Sequence, residues 1–168
     1  EGSPLCFEIL VRIRDAQGNY LSPGVFMPAS ERYNIAHWID KQVITQTLEW
    51  FEARPEVVEK LGRCAINLSG QSMGNQEFID FLSERLQLSS IPCEKICLEI
   101  TETAAMSNID QALGFFTRVK ALGCLIALDD FGSGLSSFGY LKQLPVDIVK
   151  IDGLFVRDIN TNEMDRVM

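Results

Sequence analysis

The chain has 168 residues, 46% hydrophobic and 9% aromatic, with a formal net charge of −8 and a pI near 4.7. That is enough apolar material for one sizeable core, and an acidic field without a basic run argues against DNA or RNA polymers and anionic membranes as partners. No apolar stretch of about 18 residues is present, and the opening EGSPLCFEIL lacks the basic and long apolar regions of a signal peptide, so no membrane contact is expected from this segment.

Taken in chain order, FEILVRI (residues 7–13) reads as a first strand. Alternate residues share a face, so Glu8, Leu10 and Arg12 are expected to point inward, and Phe7, Ile9 and Val11 toward covering helices. A helical pattern follows over 36–53 and carries the single histidine, His37, read as a surface or capping residue. CAINLS (64–69) is the next strand, with Asn67 and Ser69 on one face. Asn75 is a plausible N-cap for a helix over 75–88. ICLEIT (96–101) places Glu99 and Thr101 together, while Glu102, of opposite parity, suits a hydrogen bond to loop backbone better than direct ligation. Asn108 opens a helix over 108–122 that Gly123 stops. LIALDDF (125–131) ends in the pair Asp129 and Asp130, then runs into a Gly-Ser-Gly loop and a helix over 135–143. DIVKID (147–152) sets Lys150 and Asp152 on one face. Five cysteines (Cys6, Cys64, Cys93, Cys97 and Cys124), odd in number and without C-x-x-C spacing, read as reduced core thiols of a cytoplasmic protein.

Strands alternating with helices predict a parallel sheet with helices outside. Asn67, Glu99, Asp129 and Lys150 follow one another at intervals of 32, 30 and 21 residues. A (β/α)8 barrel allots about 25–30 residues to each unit and builds its sites at the C-terminal strand ends. Glu8 breaks this pattern because it stands near the start of its strand. To face the same mouth, residues 7–13 are expected to run antiparallel to their neighbours, beside an upstream strand.

Such a mouth gathers the carboxylates of Glu8, Glu99, Asp129 and Asp130 with the amide of Asn67. Carboxylates so placed repel one another and take up protons unless a cation compensates them. Oxygen donors without histidine or thiolate favour Mg2+, Mn2+ or Ca2+ over Cu2+ or structural Zn2+. Asp129 and Asp130 together could serve two ions about 3.5–4 Å apart, an arrangement suited to in-line phosphoryl displacement. Lys150 and Arg12 add local positive charge, and the glycine loop after Asp130 is placed to report what the site holds.

In order and spacing, FEILVR, INLSG, LEITET and DDFGSGLSSFGYLKQLPVDIVKID resemble the EAL-domain phosphodiesterases of cyclic di-GMP, over essentially the whole chain. The resemblance implies a modified (β/α)8 TIM-like barrel with one antiparallel strand, about five of its eight strands present. It also implies Mg2+- or Mn2+-dependent cleavage of cyclic di-GMP to linear pGpG, with Ca2+ inhibitory. On that basis Glu8, Asn67, Glu99, Asp129 and Asp130 match the metal ligands, and Lys150 matches the lysine that contacts the attacking water or phosphate. Leu10, Arg12 and Asp152 match substrate-contacting positions, and Glu102 the anchor of the loop after Asp130. Family members often form homodimers near that loop and its helix, here Phe131–Gln143. Ile9 stands where the family signature has alanine, and its outward parity makes the change one of packing. The 168 residues are expected to be a fragment lacking the first strand and the later βα units, which carry a further catalytic glutamate and a glutamine, and the fragment alone is expected to be inactive. The whole is expected in the cytoplasm, free or as the cytoplasmic part of a membrane-anchored protein.

Two other readings compete. A non-catalytic cyclic di-GMP receptor of the same family ranks second, because no ligand is lost within these residues. A Schiff-base lyase built on Lys150 explains the lysine but leaves the oxygen cluster without purpose.

Overall fold

The computed structural model describes residues 3–132 and 138–157. Five strands form one parallel sheet in the order β1 (Leu5–Ile9), β4 (Leu61–Asn67), β5 (Ile96–Thr101), β6 (Leu125–Phe131) and β7 (Ile148–Ile151), curled as half of a barrel. Between the first two, β2 (Ile13–Arg14) and β3 (Tyr20–Leu21) make a small antiparallel hairpin. Helices α1 (Pro23–Arg32), α2 (Ala36–Glu52) and α3 (Pro55–Lys60) follow it. Further along come α4 (Gly70–Met73), α5 (Gln76–Leu88), α6 (Glu102–Ser107), α7 (Ile109–Ala121), α8 (Phe138–Leu141) and α9 (Gly153–Arg157).

Period-two alternation sorts the strand side chains onto two faces. Cys64, Ile66, Ile96, Leu98, Ile100, Ile126 and Leu128 pack outward against Ile44, Leu48, Phe51, Phe78, Leu82, Phe115, Phe116 and Val119 of the helices. Ile9 joins that side, so its bulk is a packing matter. The inner face carries a small apolar floor of Ala65, Cys97 and Ala127, with Leu125 and Ile148 against it. The helix signals of the sequence are present: Asn75 accepts from the Phe78 N–H at 2.9 Å, Asn108 accepts from the Gln111 N–H at 3.2 Å, and Gly123 takes φ +90°.

Five expectations are corrected. The strand expected over 7–13 ends at Ile9 and runs parallel to β4, which is parallel to β5, so it is not the antiparallel strand. Its ladder ends with Ile9 opposite Ile66, one residue before β4 does, as the chain beyond Leu10 turns away into the hairpin. Glu8 therefore stands near the C-terminal end of its strand like the other candidates. His37 is buried and not on the surface, because it lies on the apolar face of α2 with Ala36, Ile44 and Leu48. Cys6 is exposed on the edge strand, whereas Cys64, Cys97 and Cys124 are buried and Cys93 is half-buried. Burial pushes the Cys64 thiol up to about 12 and the Cys97 thiol to about 11, which keeps them protonated and unreactive. Among the described residues, no helix is long and apolar enough to cross a membrane.

Candidate functional site

The polar ring stands directly above the apolar floor. Asn67, Glu99, Asp129 and Lys150 each lie two residues beyond Ala65, Cys97, Ala127 and Ile148, so strand alternation places them on the same inner face. Register aligns them across strands: Asn67 pairs with Glu99, and Thr101 with Asp129. On β1, Glu8 pairs with Ala65.

The side chains meet around one ammonium group. Lys150 Nζ donates to Glu99 Oε2 at 2.5 Å and to Asp129 Oδ2 at 3.0 Å, and lies 3.9 Å from Glu8 Oε1. Asn67 Nδ2 donates to Glu8 Oε1 at 3.1 Å. Four strands other than β7 thus converge on a single cation, directly or through one amide. Burial pushes the Glu99 carboxyl above its ordinary range, opposed by its bond to Lys150 and reinforced by Glu8 and Asp129 nearby. For Lys150, burial favours the neutral amine, but the hydrogen bonds to Glu99 and Asp129 outweigh it and hold the ammonium above its usual value. A Schiff-base lysine needs a free amine, so the lyase reading loses its support.

A local irregularity sets the aspartate pair. Between the partners Leu128 with Val149 and Phe131 with Ile151, β6 spends one more residue than β7, which is a bulge. Asp130 occupies it with φ +53°, in the left-handed region, and its N–H donates to Asp129 Oδ1 at 3.0 Å. The bulge interrupts the alternation that would have sent Asp129 and Asp130 to opposite faces. Burial and then the neighbouring Asp129 and Asp152 push the Asp130 carboxyl up. Asp152 in turn donates its N–H to the Phe131 carbonyl at 3.1 Å and accepts from Leu154 N–H at 2.8 Å.

Glu102, buried in the first turn of α6, accepts from the Gly132 N–H at 2.8 Å through Oε2 and from the Tyr140 hydroxyl through Oε1. The loop expected to report occupancy and to mediate self-association includes residues 133–137, outside the described residues. Leu10 is exposed beside the ring, lining a cavity of about 380 Å³ with Glu8, Met27, Asp40, Asn67 and Thr101. Arg12 lies outside β1, exposed, with Nη1 donating to the Val11 carbonyl at 2.8 Å, so strand alternation does not place it in the ring.

Sequence reasoning passed over Asp40. It sits in α2 four residues from Ala36 and from Ile44, on the buried stripe, and a carboxylate at that spacing among apolar residues was the available signal. Tyr140, the second partner of Glu102, was likewise passed over.

The donor chemistry suits a hard divalent ion. Every candidate donor is an oxygen, and the ammonium held by three carboxylates marks where positive charge is already stabilised. Among the described residues, no three aspartate, glutamate, histidine or cysteine side chains close into a cage by themselves. Any ion held there would draw on Asn67 and compete with Lys150.

A family model for the EAL domain matches residues 1–168. The chain belongs to the EAL domain family. Curated relatives include the cyclic di-GMP phosphodiesterase PdeB of Shewanella oneidensis, 40% identical over 94% of this chain and 18% of that protein. The cyclic di-GMP phosphodiesterase PdeA of Borreliella burgdorferi is 38% identical over 96% of this chain and 24% of that protein. The EAL chain thus spans about a fifth of the length of these relatives. Among solved structures, the FimX EAL domain of Pseudomonas aeruginosa bound to c-di-GMP superposes with a TM-score of 0.87 at 28% identity, covering 99% of this chain and 66% of that one. The PaMucR phosphodiesterase in complex with c-di-GMP gives 0.82 at 29% identity, covering 95% and 65%. The EAL fold is the TIM-like barrel expected from the spacing of Asn67, Glu99, Asp129 and Lys150.

Proposed function

We propose that this EAL domain, within its full-length protein, hydrolyses cyclic di-GMP to linear pGpG with Mg2+ or Mn2+, and is inhibited by Ca2+. The observation that carries the reading is the convergence of Glu8, Glu99 and Asp129, from three strands, on Lys150 Nζ at 2.5–3.9 Å. The names of the relatives and the c-di-GMP in the solved EAL structures support the choice of substrate.

Glu8, Asn67, Glu99, Asp129 and Asp130 would hold one or two divalent ions. A bound ion supplies acidified water and neutralises charge at the phosphodiester. Lys150, kept protonated by its carboxylate partners, orients the attacking water and offsets negative charge as the phosphodiester bond breaks. Leu10, Arg12 and Asp152 contact the substrate, and Glu102 fixes the loop after Asp130 by accepting the Gly132 N–H. The same reading places the protein in the cytoplasm, free or membrane-anchored, and has it self-associate through Phe131–Gln143, which sedimentation of the full-length protein tests.

Incubating the full-length protein with cyclic di-GMP and Mg2+ or Mn2+, then separating the nucleotides by chromatography, tests the assignment. The proposal expects pGpG to accumulate. Recovery of bound but intact cyclic di-GMP instead identifies a receptor.

A further inference from the structure

We propose that Asp40, buried in α2, is a positioning residue for this site: its carboxylate holds the turn after β4, and through it the side chain of Asn67 against Glu8. The inference rests on the phosphodiesterase reading and adds a residue that acts from outside the ring. Asp40 Oδ2 accepts the Ser69 N–H at 2.8 Å and the Ser72 hydroxyl at 2.6 Å. Asp40, Ser69 and Ser72 are 4%, 5% and 0% exposed, so these bonds are shielded from water. One residue earlier, the Leu68 N–H donates to the Glu99 carbonyl at 2.9 Å. The backbone that follows Asn67 is thus pinned twice, to β5 at Leu68 and to α2 at Ser69. Asn67 Nδ2 then reaches Glu8 Oε1 at 3.1 Å.

A carboxylate on the apolar stripe of a helix is costly to bury unless its hydrogen bonds are made. An aliphatic residue at this position would satisfy the core but release the turn. Because one oxygen accepts both bonds, asparagine can reproduce them through its amide oxygen, whereas alanine cannot. That separates position from charge.

The experiment compares Asp40→Ala, Asp40→Asn and Ser72→Ala in the full-length protein, by hydrolysis of cyclic di-GMP in Mg2+ and by the 15N–1H resonances of the Asn67 side-chain amide. A positioning role predicts that Asp40→Ala lowers kcat by about 10-fold or more with KM within about 3-fold, and shifts the Asn67 amide resonances. Asp40→Asn is expected to restore both readouts, and Ser72→Ala to move both in the direction of Asp40→Ala. Ser72→Ala also keeps the test open if Asp40→Ala does not fold. Unmoved Asn67 resonances in Asp40→Ala or, if it does not fold, in Ser72→Ala overturn the proposal. So does an Asp40→Asn variant whose KM rises about 10-fold, since that marks direct contact with substrate through the cavity. Wild-type protein that turns over no cyclic di-GMP defeats the phosphodiesterase reading, while the amide resonances still read the positioning.

Discussion

Lys150 Nζ lies 2.5 Å from Glu99 Oε2, so a side chain of β7 neutralises one of β5 across the intervening β6. Glu99 is buried, and Lys150 about one-third exposed. Removing the lysine leaves Glu99 and Asp129 facing each other without their cation. Lys150→Met is therefore expected to cost about 2 kcal/mol in ion-free buffer, less than a fully buried pair because Lys150 keeps access to water. Millimolar Mg2+ or Mn2+ is expected to return part of that loss, since the freed carboxylates can take the ion. Urea denaturation with and without the ion measures both. No loss of stability in ion-free buffer counts against the ammonium as the hub of the ring.

Glu102 joins Gly132 and Tyr140, on the two sides of residues 133–137. Tyr140→Phe removes one hydroxyl and almost no volume. It is expected to lower stability by about 1–2 kcal/mol, as for a hydrogen bond to a buried carboxylate, and to lower kcat through the displaced aspartate pair. Glu102→Ala is expected to lower both further. A double-mutant cycle of the two, read by urea midpoints, should show them coupled. Strict additivity would mean that the hydroxyl and the carboxylate act separately.

Asp130 takes φ +53°, which glycine adopts freely and alanine does not. Asp130→Gly preserves the bulge and deletes the carboxylate, whereas Asp130→Ala also strains the backbone by about 1–2 kcal/mol. Thermal unfolding is expected to rank the glycine variant above the alanine variant, although glycine is the more flexible residue when unfolded. The reverse order would mean that the backbone here is not left-handed.

Two carboxylates outside the ring make opposite predictions for pH. At Asp147, burial acts to raise the pKa, but bonds from Lys120 and the Ile126 N–H outweigh it and leave the carboxyl below its ordinary range. As pH falls, the unfolded chain takes up this proton before the folded one, so stability from Asp147 is full above about pH 4 and drains away below it. Asp40 is raised, chiefly by burial. The folded state holds its proton longer, so the Asp40 contribution shrinks as pH rises above about 4. Asp147→Asn should flatten the acid limb of stability against pH, and Asp40→Asn should lift the neutral side relative to the acid side. Urea midpoints from about pH 3 to 7 check both signs.

The parallel sheet and the approach of Glu99, Asp129 and Lys150 to one another at its mouth were legible in the sequence, whereas the strand direction and irregularities around them were not. Asn67, Glu99, Asp129 and Lys150 recur at the ends of aliphatic runs because a parallel sheet with a polar mouth imposes that period. Glu8 was placed in the ring for the right face but in the wrong strand direction, because nothing in FEILVRI marks the break after Ile9. That break comes where the chain leaves the sheet for the β2–β3 hairpin, while β4 runs on to Asn67. The bulge at Asp130 was equally hidden, since aspartate adopts the left-handed region without the glycine that usually announces it. Helix α1, with Pro23 at its first turn and Pro28 inside it, was not read from the sequence, and it packs on α2, the helix whose buried face holds His37 and Asp40.

The ring of carboxylates is proposed to run hydrolysis. The most direct measurement is initial-rate turnover of cyclic di-GMP by the full-length protein in Mg2+ or Mn2+, for wild type, Glu8→Ala and Asp129→Asn. Formation of pGpG by wild type, lost in both variants and on chelation of the ion, is the predicted result. Wild-type rates in either variant, or no turnover by wild type with the ion supplied, would contradict it.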